Sequence, residues 1–222
     1  MSTSDAADDA LSQELLQVAL RAAAAAVELI HDRRPAQLSI DNKSTATDMV
    51  TEMDRASEQL IRSIIAEERP HDVVVGEEGG EVAPEDGSGA ADGSGVTWWV
   101  DPIDGTTNYV YDHPGYNVSI AAGTSTGTLV GVVADPTHGR VYSARAGHGA
   151  RCDDRPLRLG AAAPLSHTLV ATGFAYDPAR RGRQGAVVAE LLPQVRDIRR
   201  MGAAALDLCS VASGRVDAYY EV

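Results

Sequence analysis

Apolar residues recur at helical spacing from Leu11 to Ile30, interleaved with alanines, and no Gly or Pro intervenes before Pro35. This pattern predicts a long helix over 11–33. A second helix is predicted over 51–68, with Met53, Ala56, Leu60, Ile61, Ile64 and Ile65 on its apolar face. Residues 72–75 form a short buried strand that stops at Gly76, and 96–100 form another that runs into Asp101-Pro102-Ile103-Asp104-Gly105. Between them, 80–95 is poor in apolar residues and rich in Gly, Asp and Ser, which predicts a mobile surface loop. Strands are predicted at 117–122 and 128–134. The latter joins 140–144 through Asp135-Pro136-Thr137-His138-Gly139 as a hairpin, and Gly147-His148-Gly149 turns into one more short strand. A strand near 169–172, helices near 184–192 and 202–213, and a strand over 216–222 complete the reading. Strands alternate with helices and with hairpins, so the class is mixed, α+β with α/β character. Pro156, Gly160 and Pro164 punctuate the chain near 155–165. The expected organisation is therefore an N-terminal α+β sub-lobe over 1–160 and a partial C-terminal α/β sub-lobe over 161–222.

Composition narrows the functional classes. The 222 residues carry 19 basic and 32 acidic side chains, a formal net charge of −13. Such a surface repels a phosphodiester backbone, which disfavours nucleic-acid binding as the main role. The apolar stretches are too short to span a bilayer, and residues 1–10 are acidic, without the basic segment of a secretory signal. Cys152 and Cys209 stand far apart without metal-type spacing. This suits a reducing cytoplasm and argues against a disulfide framework or a zinc site.

The strongest chemical signal is Trp98-Trp99-Val100-Asp101-Pro102-Ile103-Asp104-Gly105-Thr106-Thr107-Asn108. Pro102 keeps Asp101 out of the α-region, so the chain is expected to turn here and aim Asp101 and Asp104 at a common point. The Ile103 carbonyl lies between them. Oxygen donors with no Cys or His nearby suit a hard divalent ion such as Mg²⁺, although an ordinary Asp-Pro turn with solvated acids has the same letters. In Val73-Val74-Val75-Gly76-Glu77-Glu78-Gly79-Gly80, too, an apolar strand ends in acids flanked by glycine. Gly105-Thr106-Thr107 and Met201-Gly202-Ala203-Ala204-Ala205 are glycine-plus-small segments. Segments of this kind let backbone N–H groups approach an anion, and also serve as plain capping or packing features. The six histidines fall mostly beside turn residues and receive no catalytic role.

Taken together and in order, these segments resemble the inositol monophosphatase family. The resemblance rests on Lys43, Asp48-Met49-Val50-Thr51 and Asp54; on Glu77-Glu78; on Trp99 through Asn108; and on Met201 through Cys209 with Gly214 through Glu221. It covers nearly the whole chain. It implies a layered αβαβα sandwich, with Mg²⁺ held by Glu77, Asp101, the Ile103 carbonyl and Asp104. It implies that Thr106 and Glu77 orient the attacking water, with Asp54 behind Thr106 as a proton relay. Gly105 and Thr106 are expected to offer backbone donors to the phosphate. Gly202, Ala203 and Ala204 are expected to line the substrate pocket, and Glu221 to accept from a substrate hydroxyl. Lys43 and Asp48 are expected to support an outer metal shell. The implied substrate is a small phosphorylated polyol, inositol monophosphate foremost, with histidinol phosphate, a sugar bisphosphate or a weakly catalytic binding role as alternatives. Lithium sensitivity and a homodimer come with the resemblance. Two departures stand out. Ala203 replaces a hydroxyl residue frequent in the family. The family pattern also continues beyond Glu221 to a Trp-Asp signature, so the C-terminal part is expected to be incomplete.

Overall fold

A computed structural model describes residues 3–43, 48–82 and 95–221. Its first element, α1 (Thr3–Val27), passes into a wider π-turn at Glu28–Asp32 before Pro35. Leu15, Val18, Ala19, Ala22, Ala26 and Ile30 lie on one stripe and are at most 1% exposed. The alanines have no bulk beyond Cβ, so the helix axis can approach the sheet beneath it closely. A short hairpin, β1 (Ile40–Asn42) with β2 (Met49–Thr51), leads into α2 (Glu52–Glu68). Thr51 caps α2: its hydroxyl accepts from Met53 N and Asp54 N, and Asp54 returns a carboxylate oxygen to Thr51 N at 2.8 Å. Two of the helix's unpaired donors are thus satisfied, and the cap fixes where the helix starts.

Next come β3 (Val73–Gly76), β4 (Gly80–Val82), β5 (Thr97–Asp104) and α3 (Thr106–Val110). They are followed by β6 (Asn117–Thr124), β7 (Gly127–Asp135), β8 (Arg140–Arg145), β9 (Gly149–Cys152) and β10 (Arg155–Pro156). These strands form one eight-stranded sheet in the order β10-β9-β8-β7-β6-β5-β3-β4, antiparallel throughout except where β3 runs parallel to β5. The expected surface loop at 80–95 begins instead as strand β4, and residues 83–94 lie outside the described residues. A smaller parallel sheet has the order β12-β11-β13, from β11 (Leu169–Thr172), β12 (Asp197–Arg199) and β13 (Ala218–Tyr220). Helix α4 (Pro178–Leu191) crosses from β11 to β12, and α5 (Ala204–Ala212) precedes β13. Asp177 caps α4 by accepting from Arg180 N, with Pro178 in the first turn, so this helix starts earlier than the apolar pattern predicts.

The layers follow from these contacts. Helices α1 and α2 cover one face of the large sheet, where Ile61, Ile65, Trp98, Val118, Ile120 and Val132 join the α1 stripe in a single core. Helix α5 touches β6 and β7 on one side and β11 and β13 on the other, so it lies between the two sheets. This is the layered α/β sandwich expected. Among the described residues, no helix is long and apolar enough to cross a membrane.

The largest local departure is at Pro102. The chain does not turn there; β5 continues to Asp104 with a β-bulge, three steps from Asp101 to Asp104 matching two from Ser119 to Asn117 on β6. Proline has no N–H for the ladder, so the irregularity falls where a ladder bond is already lost.

Ile61 is fully buried under α2. Ile61→Ala should lower unfolding free energy by ~2–5 kcal/mol, read as a lower urea midpoint at unchanged slope.

Candidate active site

Two strand ends bring the acidic segments together. Parallel pairing sets Gly76 of β3 opposite Val100 of β5, so Glu77, the first residue past β3, and Asp101, still within β5, stand side by side. Glu77 N donates to Val100 O at 3.1 Å and holds the two ends in that register. The bulge then acts on Asp104. In a regular strand, residues three apart face opposite ways. Here Asp101 pairs with Ser119 and Asp104 with Asn117, two positions apart on β6, so the extra residue returns both aspartates to one face. Pro102 and Ile103, buried in succession, mark the break in alternation.

The electrostatics of this group are strained. Burial first, then the charges of Glu77 and Asp104, push the Asp101 carboxyl up to about 9, against the hydrogen bond from Ile103 N. The direct approach of the Glu77 side chain to Asp101 adds to the rise. Burial also raises Asp104, opposed by donors from Asn117 Nδ2 at 3.0 Å and Ala205 N at 2.8 Å. Asp104 thereby ties the bulge to the start of α5. Lys43 Nζ reaches Glu77 Oε1 at 2.7 Å and also contacts Glu78. Burial works against its charge, yet the hydrogen bonds to both glutamates outweigh that and raise its pKa.

Asp54 and Thr106 make a second, drier group behind the first. Thr106 Oγ1 lies 3.0 Å from Asp54 Oδ1 and 3.1 Å from the Ile103 carbonyl. Asp54 is 1% exposed, and its other oxygen accepts from Thr51 N and Thr51 Oγ1. Burial raises its pKa, and the donors from Thr51 and Thr106 oppose the rise.

The glycine-plus-small segments also meet. Gly105 has φ +93°, and a Cβ there would stand 2.7 Å from Gly115 O and 3.2 Å from Ala203 Cβ. Only a residue without a side chain lets α3 start this close to the Gly202–Ala203 backbone. Asn108 Nδ2 fastens the arrangement by donating to Gly115 O at 2.8 Å and to Met201 O at 2.7 Å. Gly202 (φ +92°) and the buried Ala203 lead into α5, while the Ala204 and Ala205 amides are turned to Asp104. Glu221 is held by Tyr219 Oη and lies over Gly173 at the end of β11. Asp48 is half-buried, and its carbonyl accepts from Lys43 N at the β1–β2 hairpin. A cleft of about 310 Å³, lined by Thr107, Tyr111, Phe174, Tyr176, Arg181 and Arg200 but by none of the three carboxylates, opens at Thr107 of α3.

Among the described residues, no three His, Cys, Asp or Glu side chains are grouped as they would be to hold a metal ion. The donor chemistry fits a hard cation: Glu77, Asp101 and Asp104 are carboxylates at one edge, and the Lys43 ammonium group supplies positive charge beside Glu77. Asn117, which orients Asp104, and Asn108, which joins the two glycine segments, carry no metal-type spacing by which sequence could assign them these tasks.

Comparison with known proteins agrees with this architecture. Residues 11–222 match the inositol monophosphatase family. Over 183 residues the chain is 50% identical to the inositol-1-monophosphatase of Mycobacterium leprae, covering 81% of this chain and 62% of that protein, so it spans less than two thirds of that relative's length. It is 40% identical over 212 residues to the Nus factor SuhB of Pasteurella multocida, covering 94% of this chain and 76% of that one. Among solved structures it resembles the extragenic suppressor protein suhB of Bartonella henselae, with TM-score 0.84 and 32% identity over 93% of this chain and 78% of that one. By sequence match along nearly its whole length and by fold, the chain belongs to the inositol monophosphatase family.

Proposed function

We propose that this chain provides the site of a Mg²⁺-dependent phosphatase acting on a small phosphate monoester, inositol monophosphate foremost. The observation that carries the reading is the gathering of Glu77, Asp101 and Asp104 on one edge beside Gly105, Thr106 and Gly202. Glu77, Asp101, the Ile103 carbonyl and Asp104 would hold Mg²⁺. Bound there, the ion supplies charge neutralisation for the phosphoryl oxygens and acidifies water. Thr106 directs its hydroxyl hydrogen inward, to Asp54 or the Ile103 carbonyl. Its lone pairs are left to accept from a water and, with Glu77, to orient that water for in-line attack. Asp54, held by Thr51 on its far oxygen, keeps the Thr106 hydroxyl in this orientation and relays a proton through it. The backbone N–H groups of Gly105 and Thr106 face the phosphate, Gly202 to Ala204 line the substrate pocket, and Glu221 accepts from a substrate hydroxyl. Arg181 and Arg200 in the neighbouring cleft give an anionic substrate a favourable approach.

The same reading carries two sub-lobes, 1–160 and 161–222, lithium sensitivity, a homodimer and a cytoplasmic setting, all carried over from the family resemblance. A second reading, a weakly catalytic protein acting through protein contacts, has one observation in its favour: the relative named Nus factor SuhB matches 94% of this chain.

The test is colorimetric phosphate release with and without Mg²⁺ over inositol monophosphate, histidinol phosphate and sugar bisphosphates. Turnover should require Mg²⁺ and disappear with chelator. Asp104→Asn should lower it ~10²–10³-fold, the scale on which one preorganised electrostatic contact acts. Mg²⁺ binding without release from any ester supports the second reading, and absence of both sinks the first. Asp101→Asn separates charge from fold. In chelator it should raise Tm by about 2–4 °C, since it removes a repelled buried carboxyl, and it should abolish the rise in Tm that Mg²⁺ gives the native chain.

A further inference from the structure

Glu58 lies one turn after Asp54 on the same face of α2, yet it touches none of the groups given a chemical role above. It is a carboxylate only 3% exposed. Its oxygens accept from Glu78 N at 2.7 Å, Gly79 N at 2.9 Å and Arg62 Nε at 2.9 Å. Arg62 extends the grip, donating to Val74 O at 2.9 Å and Gly80 O at 2.6 Å. The three residues between β3 and β4, Glu77 to Gly79, are therefore pinned along their backbone from below by Glu58 and from the side by the Glu77 N to Val100 O bond. The flanking glycines fit the same device. A Cβ on Gly76 would lie 2.3 Å from Glu58 Cδ, and one on Gly79 would lie 2.8 Å from Glu58 Oε1. Neither has positive φ, so contact with this carboxylate, and not backbone conformation, is what excludes a side chain.

A buried carboxylate is retained at a cost unless its hydrogen bonds return something. What Glu58 fixes is the direction in which the loop presents Glu77. We infer that Glu58 is a positioning residue for the metal site: it locks the Glu77–Gly79 loop through two backbone amides, so that Glu77 stands beside Asp101 before the cation arrives. The inference rests on the metal-site reading above. Together with Asp54, which holds Thr106, and Ser57, which reaches Pro102 O at 3.4 Å, Glu58 makes one face of α2 the common mount for both ligand-bearing segments.

The test compares Glu58→Gln and Gly79→Ala with Ile61→Ala, which weakens the same helix from its apolar side. Glu58→Gln keeps the size but can no longer accept all three donors. Gly79→Ala presses on Glu58 from the loop and leaves α2 intact, so it decides the matter if Glu58→Gln fails to fold. Mg²⁺ affinity is measured by calorimetry without substrate, and exchange of the Glu78 and Gly79 amides by NMR in the metal-free protein. Both loop-directed variants should weaken Mg²⁺ binding, Glu58→Gln by about 10–100-fold, as loss of a group that orients a ligand does. Both should also speed exchange at these two amides. Ile61→Ala should lower Tm and leave Mg²⁺ affinity unchanged. If native protein binds Mg²⁺ and the two variants bind it no more weakly than Ile61→Ala, the assignment to Glu58 is overturned and the site reading stands. If native protein binds none, both fall.

Discussion

The parallel pairing of β3 with β5 is the constraint on which the site depends. Antiparallel neighbours would send Glu77 and Asp101 to opposite ends of the sheet; parallel ones in the register Gly76 to Val100 deliver them to the same end. Strand β4 folds back antiparallel along the far side of β3, so β3 lies between β4 and β5. The bulge in β5 completes the arrangement by bringing Asp104 to the face of Asp101. Neither device needs side-chain flexibility. Both are set by backbone hydrogen bonds, which are short-range and geometrically demanding.

This precision has an electrostatic cost. Asp101 and Asp104 are held close to Glu77, and burial together with the neighbouring charge raises the energy of their charged forms. The fold tolerates them through compensation. Lys43 meets the glutamates, Asn117 and the α5 amides meet Asp104, and the Ile103 amide meets Asp101. Such an edge gives away stability that the large apolar core beneath α1 and α2 must supply. The same imbalance favours whatever positive charge can enter, which is the property a cation-dependent site requires.

The parts legible in the sequence were those written in runs. The alanine-rich α1, the apolar β3 and β5 and the hairpin from β7 to β8 announce themselves by periodicity, and the acids at the strand ends by their flanking glycines and proline. Elements of three residues did not, β13 within the predicted 216–222 strand excepted. Strands β1, β2 and β12 are short and half polar, and their pairing comes from tertiary position. In sequence the bulge reads as a turn because Asp-Pro has the same letters in both, and only the β6 partner distinguishes them. Asn117 and Glu58 were invisible for another reason. Each acts on groups distant along the chain, the Asp104 carboxylate and the Glu78 and Gly79 amides, so no local spacing records the contact.

Asp54 closes the cap of α2 with one oxygen and receives Thr106 with the other. Helix start and proposed reaction centre therefore share a side chain, and a change there is expected to alter folding and chemistry at once. A lineage that abandoned turnover would still be obliged to preserve Asp54 for its architecture. Its presence in a silent relative would record inheritance of a scaffold and give no testimony about surviving activity.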